Sequence, residues 1–181
     1  MAAFTVIDHT ELSSAASSWS VSSIPSTYDH LLIKGQERNS SGGAGRYPQL
    51  RLGNSSIDTG SNYSATYLFT RTSTPSSGRS SSSSFIPLYY GADDNNTANT
   101  FSSFSIWIPH YANTSNYKQA ILEIVGPSNS TSNYDWGMGM LAGLWQSQSA
   151  ITNVQILAWS QGSNNHMQYS TFTLYGITNN A

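Results

Sequence analysis

Apolar side chains along this chain recur with a period near two and almost nowhere near 3.6, which predicts strands rather than helices. Phe4 and Val6 alternate with Thr5 ahead of Ile7, and Trp19 and Val21 alternate with serines until Ile24-Pro25 breaks the run. His30-Leu31-Leu32-Ile33-Lys34-Gly35 is almost continuously apolar, the pattern of a central strand covered on both faces. Tyr47–Leu52 sets Leu50 and Leu52 against Gln49 and Arg51. Tyr63–Phe69 and Phe85–Tyr90 continue the series, with Pro87 marking an edge or a bulge.

The second half carries the same grammar more strongly. Phe101–Tyr111 sets Phe104, Ile106 and Ile108 against Ser103, Ser105 and Trp107. Ala120–Val125 stops at the turn signal Gly126-Pro127. Trp136–Trp145, Ile151–Trp159 and Tyr169–Ile177 complete the set; in the last, Phe172 and Leu174 share one face while Thr171, Thr173 and Tyr175 share the other. About eleven short strands, separated by loops rich in Ser, Asn and Gly, predict an all-β fold, a two-sheet antiparallel sandwich or a barrel. Thr10–Ser18 is the one helical candidate, through Glu11, Leu12, Ala15 and Ala16, but its serines favour a loop or short turn. Ser73–Ser84, with Pro75 and Gly78, reads as a long loop inside one domain, because neither flank holds enough strands to close a core alone. The expectation is a single domain over 1–181, without an internal repeat of fixed period.

Composition narrows the function classes. The chain has 181 residues, 7 Lys+Arg against 9 Asp+Glu, and a net charge of −2. So few cations cannot form the basic stripe that nucleic-acid binding requires. With no cysteine, a disulfide framework, a zinc–thiolate centre and a thiol nucleophile are all excluded. Ser, Thr and Asn supply about a third of the residues, so the surface is polar through hydroxyls and amides rather than charge. Five Trp and eleven Tyr argue against disorder. Met1–His9 has neither a basic stretch nor a run of about 7–15 apolar residues, so no signal peptide is expected. No segment approaches the ~18 apolar residues of a membrane-spanning helix. Without a secretory route, the Asn-x-Ser/Thr triplets at Asn39, Asn54, Asn62 and Asn113 are not read as glycan sites.

Candidate chemistry is sparse. His9, His30, His110 and His166 show no metal-ligand spacing, and His30, opening an apolar strand, reads as a hydrogen-bonded wall residue. Gly-x-Ser-x-Gly is absent, and serine is so abundant that any Ser/His/Asp triple carries no information. Glu123 alternates with Leu122 and Ile124; it suits either a general acid on a groove floor or, preferably, an outward solvated face. Gly42-Gly43-Ala44-Gly45-Arg46 lacks the ending of a phosphate cradle and reads as a hairpin tip. Asp93, Asn95, Thr97 and Asn99 place oxygens at alternate positions in a calcium-like way, but without the sharp-turn glycine or a later bidentate acid, so a polar turn is preferred. Trp136-Gly137-Met138-Gly139-Met140 presents an aromatic and thioether face opposite a bare glycine face. That suits a subunit contact or sugar platform, or a core strand whose glycine face is covered by Tyr or Trp from the other sheet; the second is preferred. No cofactor, metal or catalytic residue is assigned, and the chain is not expected to be an enzyme.

The C-terminal segment Leu144-Trp145-Gln146, Ser149–Ile156, Gly162-Ser163 and Gln168–Ile177 resembles the ending of small stand-alone virion proteins of tailed bacteriophages, notably those of cyanobacteria and other marine bacteria. Ser23–Gly35 is similar to the matching N-terminal segment, as is Tyr111-Ala112-Asn113 with Tyr117-Lys118 in the middle, so the resemblance spans about residues 4–177. It implies a jelly-roll-like sandwich carried on the virion. The expected role is capsid decoration or cementing, through repeated non-covalent contacts to the major capsid protein or other virion proteins. The expected state is a symmetric homo-oligomer, a trimer. The alternative is a tail-associated carbohydrate-binding module reading a host glycan with its Trp and Tyr rings.

Overall fold

The alternation resolves into fourteen strands and, among the described residues, no helix. The computed structural model of the protein describes residues 3–40, 47–71, 74–89, 91–127, 137–160 and 163–179. The larger sheet runs from edge to edge as β1 (Ala3–Glu11), β14 (Thr171–Thr178), β3 (His30–Asn39), β10 (Ser102–Pro109), β11 (Lys118–Gly126), β12 (Gly137–Trp145), β6 (Tyr63–Arg71) and β7 (Thr74–Ser83). Each neighbouring pair in that order is antiparallel. A short strand, β9 (Ala92–Asp93), pairs in parallel with the end of β3. The smaller sheet is β2 (Ser18–Val21), β13 (Asn153–Leu157) and β4 (Gln49–Asn54), with β5 (Ser56–Ile57) and β8 (Ile86–Pro87) both on β4. The all-β two-sheet sandwich read from the sequence is therefore present.

The two sheets face each other across one apolar cluster. Leu31, Ile33, Ile106, Ile108, Leu122, Ile124 and Leu174 from the large sheet meet Trp19, Leu50, Leu52, Val154 and Ile156 from the small one. Each such fully buried side chain contributes about 1.5–3 kcal/mol relative to exposure. Trp19 stacks on Phe172 at 5.4 Å between ring centroids, joining β2 to β14. The Tyr63 hydroxyl donates to the Leu52 carbonyl at 2.9 Å and accepts from the Leu52 amide at 3.1 Å, joining β6 to β4.

Eleven of the strands lie where the alternation places them; β5, β7 and β9 are additions. The largest correction is Ser73–Ser84, expected as a loop. Thr74–Ser83 pairs with β6 as an edge strand, broken by a bulge opposite Tyr63/Ala65 with Ser82 at φ 51°. It lacks apolar alternation because an edge strand of serines gains its stability from the ladder and its neighbour, not from its own burial. Gly78 is the exception, since the Tyr67 ring lies across it; a Cβ there would come within 2.9 Å of the ring. Pro87 sits on an edge as expected, since β8 pairs only with β4. Thr10 and Glu11 end β1, and the loop that follows is held by Leu12 N–H donating to Ser170 O and Tyr169 N–H donating to Leu12 O.

Candidate functional site

The histidines that look dispersed in sequence are partly gathered by the fold. His9 stays exposed on β1, within hydrogen-bond distance of Thr173 Oγ1 at 2.8 Å. His30 is buried at the start of β3, accepts from the His110 amide at its Nδ1 (3.2 Å), and meets the Asn179 side chain at its Nε2 (2.9 Å). Its ring lies 4.8 Å from that of Trp107 and 4.8 Å from that of His110. Burial first, and His110 second, push its pKa below the usual value, with Asp29 opposing. This is the wall residue that the sequence predicts. Among the described residues, no three His, Asp or Glu side chains come together to hold a metal ion.

The pairing that spacing cannot reveal is Glu37 with His166, 129 positions apart and both fully buried. His166 Nε2 faces the Ile156 carbonyl at 3.2 Å and Nδ1 faces Glu37 Oε2 at 3.0 Å. The carbonyl can only accept, so the Nε2–H donates to it and Nδ1 is turned to the Glu37 carboxyl. Glu37 belongs to the large sheet and Ile156 to the small one, so this polar link spans the sandwich.

The calcium-like loop is organised by a cation of the chain's own. The Arg38 guanidinium donates to the carbonyls of Thr97 (2.9 Å), Thr100 (2.9 Å) and Asn96 (3.0 Å). Asp93 Oδ1 accepts from the Asn95 amide at 3.0 Å, and Asn96 Oδ1 from the Asp93 amide at 2.7 Å. Three backbone carbonyls of the loop therefore converge on an arginine, while the Asp93 and Asn96 side chains accept from backbone amides within the turn. The glycine-rich segment 42–46 lies outside the described residues.

The surface of the large sheet that faces away from the small sheet is the feature that stands out. Along β11 the burial alternates strictly, and Ile121, Glu123 and Val125 all point outward. Registered beside them on β12 are Ala142, Met140 and Met138, and beside those on β6 are Thr66, Leu68 and Thr70. On the other flank, β10 contributes Trp107, Ser105 and Ser103. The result is a contiguous apolar face in which Ile121 is 50 % exposed, Val125 44 %, Met138 56 %, Met140 55 % and Leu68 58 %. A shallow depression of ≈ 320 Å³ opens between Leu68, Val125, Met138 and Met140. Glu123 is exposed at its centre, opposite Ser105 on one side and Met140 on the other.

The Met138/Met140 end of β12 therefore departs from the preferred core-strand reading. Its thioethers face outward, and the face of Gly139 is covered by Phe69 and Leu141 of the same sheet and by the Tyr89 carbonyl, each 3.6 Å from where a Cβ would stand. Trp136 lies outside the described residues. The aromatic side chains expected as sugar-stacking surface pack largely on one another: Tyr89 sits 4.6 Å from Tyr47 and 4.5 Å from Tyr67, with Tyr47 4.5 Å from Trp159. Leu68, Ile121 and Val125 were not singled out in sequence. The available signal is the run Ala120–Val125, apolar except for Glu123, which offers apolar groups to both faces of its sheet.

No protein-family model matches the chain, and a search of the curated proteins finds no match.

Proposed function

We propose that this chain is a bacteriophage virion structural protein, a capsid decoration or cement protein whose task is adhesion and not catalysis. The observation that carries this reading is the exposed apolar face formed by Leu68, Ile121, Val125, Met138 and Met140. Soluble monomers rarely leave so contiguous an apolar surface uncovered, and faces of this kind are normally closed by protein. The resemblance of Ser23–Gly35 and Gln168–Ile177 to virion proteins of tailed phages supplies the setting, together with the jelly-roll-like winding it implies. The working location is then the head surface, the partners are the major capsid protein and further copies of this chain, and strength comes from many modest contacts repeated over the shell.

Mass spectrometry of separated heads and tails, followed by location of the protein in a particle reconstruction, tests this. Stoichiometric recovery with heads is expected. Absence from purified particles overturns it.

A second reading, a tail-associated module that binds a host glycan, draws on another part of the same surface. Lys34, Gln36, Ser103, Thr171 and Thr173 line an open trough on β14, β3 and β10, rich in groups that hydrogen-bond sugar hydroxyls. Recovery with tails and saturable binding on a glycan array would favour this second reading.

A further inference from the structure

We propose that the apolar face is covered by a second copy of this chain, packed sheet to sheet about a two-fold axis that runs along β12. The proposal deepens the reading above, since it takes the face to be a protein contact, and names its occupant.

The register decides which groups would meet. Outward residues align in rungs across the sheet: Trp107, Ile121, Ala142, Thr66 and Arg79 form one, and Ser105, Glu123, Met140, Leu68 and Ser77 form the next. A two-fold axis parallel to the strands keeps every rung over itself and exchanges strands equidistant from β12. Met140 then lies on the partner's Met140, and Glu123 lies over the partner's Leu68. Ile121 and Val125 cover the partner's Thr66 and the partner's Thr70. β10 lies over the partner's β7, which brings Trp107 onto the partner's Arg79.

Charge supports this choice of axis. Glu123 is the one formal charge at the centre of the face, and Arg79 flanks it on β7; both are exposed, and among the described residues neither makes an ion pair within its own chain. In the two-fold arrangement the Glu123 carboxylate reaches the partner's Arg79, one strand and one rung away, and the same pair forms twice. An apolar surface that would otherwise bury an unpaired carboxylate becomes self-complementary, as an isologous contact requires. Packing β11 on β11 would instead oppose the two Glu123 carboxylates.

The area is adequate. Five strands, β10 to β7, taken over four outward rungs at ~4.8 Å between strands and ~6.8 Å between rungs, cover roughly 650 Å² per copy in projection. Stable interfaces bury about 800 Å² per partner, and side-chain relief adds to a projected area. Aligned sheets pack about 10 Å apart and within about 30° of each other, so contacts nearest the axis hold register best.

Sedimentation velocity of the purified full chain over a concentration series tests the arrangement. A dimer is expected. Met140→Glu is expected to give monomers with an unchanged thermal midpoint, because the side chain is exposed in the isolated fold. Glu123→Arg and Arg79→Glu should each weaken the dimer about tenfold or more, and the two combined should restore it. A monomer at every concentration, a trimeric mass, a dimer indifferent to Met140→Glu, or failure of the double exchange to restore association overturns the proposal. Particle composition separates the two readings. A dimer missing from virions ends the virion reading alone, whereas a virion protein that is monomeric in solution ends this one alone.

Discussion

Glu37 and His166 both lose contact with water completely on folding, and neither group could do so alone at acceptable cost. Each is held by the other, and Glu37 Oε1 is left without a partner among the described residues. The link therefore contributes more to defining the native arrangement than to net stability, but cutting one half of it is expensive. Glu37→Leu and His166→Phe, made singly, are each expected to lower folding stability by about 3–5 kcal/mol, while the double variant loses clearly less than the two losses combined. Urea unfolding of the four proteins checks this, and single losses under about 1 kcal/mol would show that the pair is not what binds the sheets here. Neither residue advertises this role in sequence: Glu37 sits in a polar run and His166 follows two asparagines, so nothing local distinguishes them from surface residues. Only their meeting makes them special.

At the scale of elements, the centre of the large sheet depends on how closely β14, β3 and β10 can approach. Gly35 lies between them, with the Phe104 ring over it and the Thr171 carbonyl close by. A Cβ added there would stand 2.5 Å from Phe104 Cζ and 2.6 Å from the Thr171 oxygen. The ring could turn, but the carbonyl belongs to the ladder and cannot. Gly35→Ala is therefore expected to destabilise by about 1–3 kcal/mol, read as a lower thermal midpoint with unchanged β-sheet circular dichroism. β7 shows the opposite dependence, because its identity as a strand comes from β6 and from the Tyr67 ring over Gly78. The apolar periods that locate β10, β11 and β14 so clearly are signatures of burial. A strand at the sheet edge is under no such demand, and a serine run is equally compatible with a loop. The strands β10, β11 and β14, which bury a face, were legible; β7, recruited by its neighbour, was not.

The molecule as a whole is held by a core into which tyrosine hydroxyls are drawn. Burial raises the pKa of Tyr63, Tyr89 and Tyr111 above the ordinary 10.0. In the unfolded chain these phenols ionise near pH 10, whereas in the folded protein they remain protonated, so above that pH the unfolded state binds fewer protons and stability falls. Lys118 acts in the other direction. Its ammonium, buried against the carbonyls of Asn116 (2.8 Å) and Gln148 (3.0 Å), has its pKa lowered by desolvation, so the unfolded state binds more protons at the approach to its ordinary 10.5 and stability rises there. Three phenols outweigh one amine. Stability is expected to be retained up to about pH 10 and to fall steadily beyond it. Urea midpoints taken across that range, with tyrosinate absorbance on the same samples, check the sign; stability rising beyond that pH would refute it.

The sequence by itself determined the all-β class and the places of eleven strands, because burying one face of a strand leaves a period-two record in the chain. The tertiary structure alone decided which side of each sheet stays open, that the thioethers of Met138 and Met140 face outward, that Glu123 stands among apolar neighbours, and that Glu37 finds His166. These are properties of register and of strands brought together from distant parts of the chain. An apolar side chain reads the same in sequence whether it meets the opposing sheet or water.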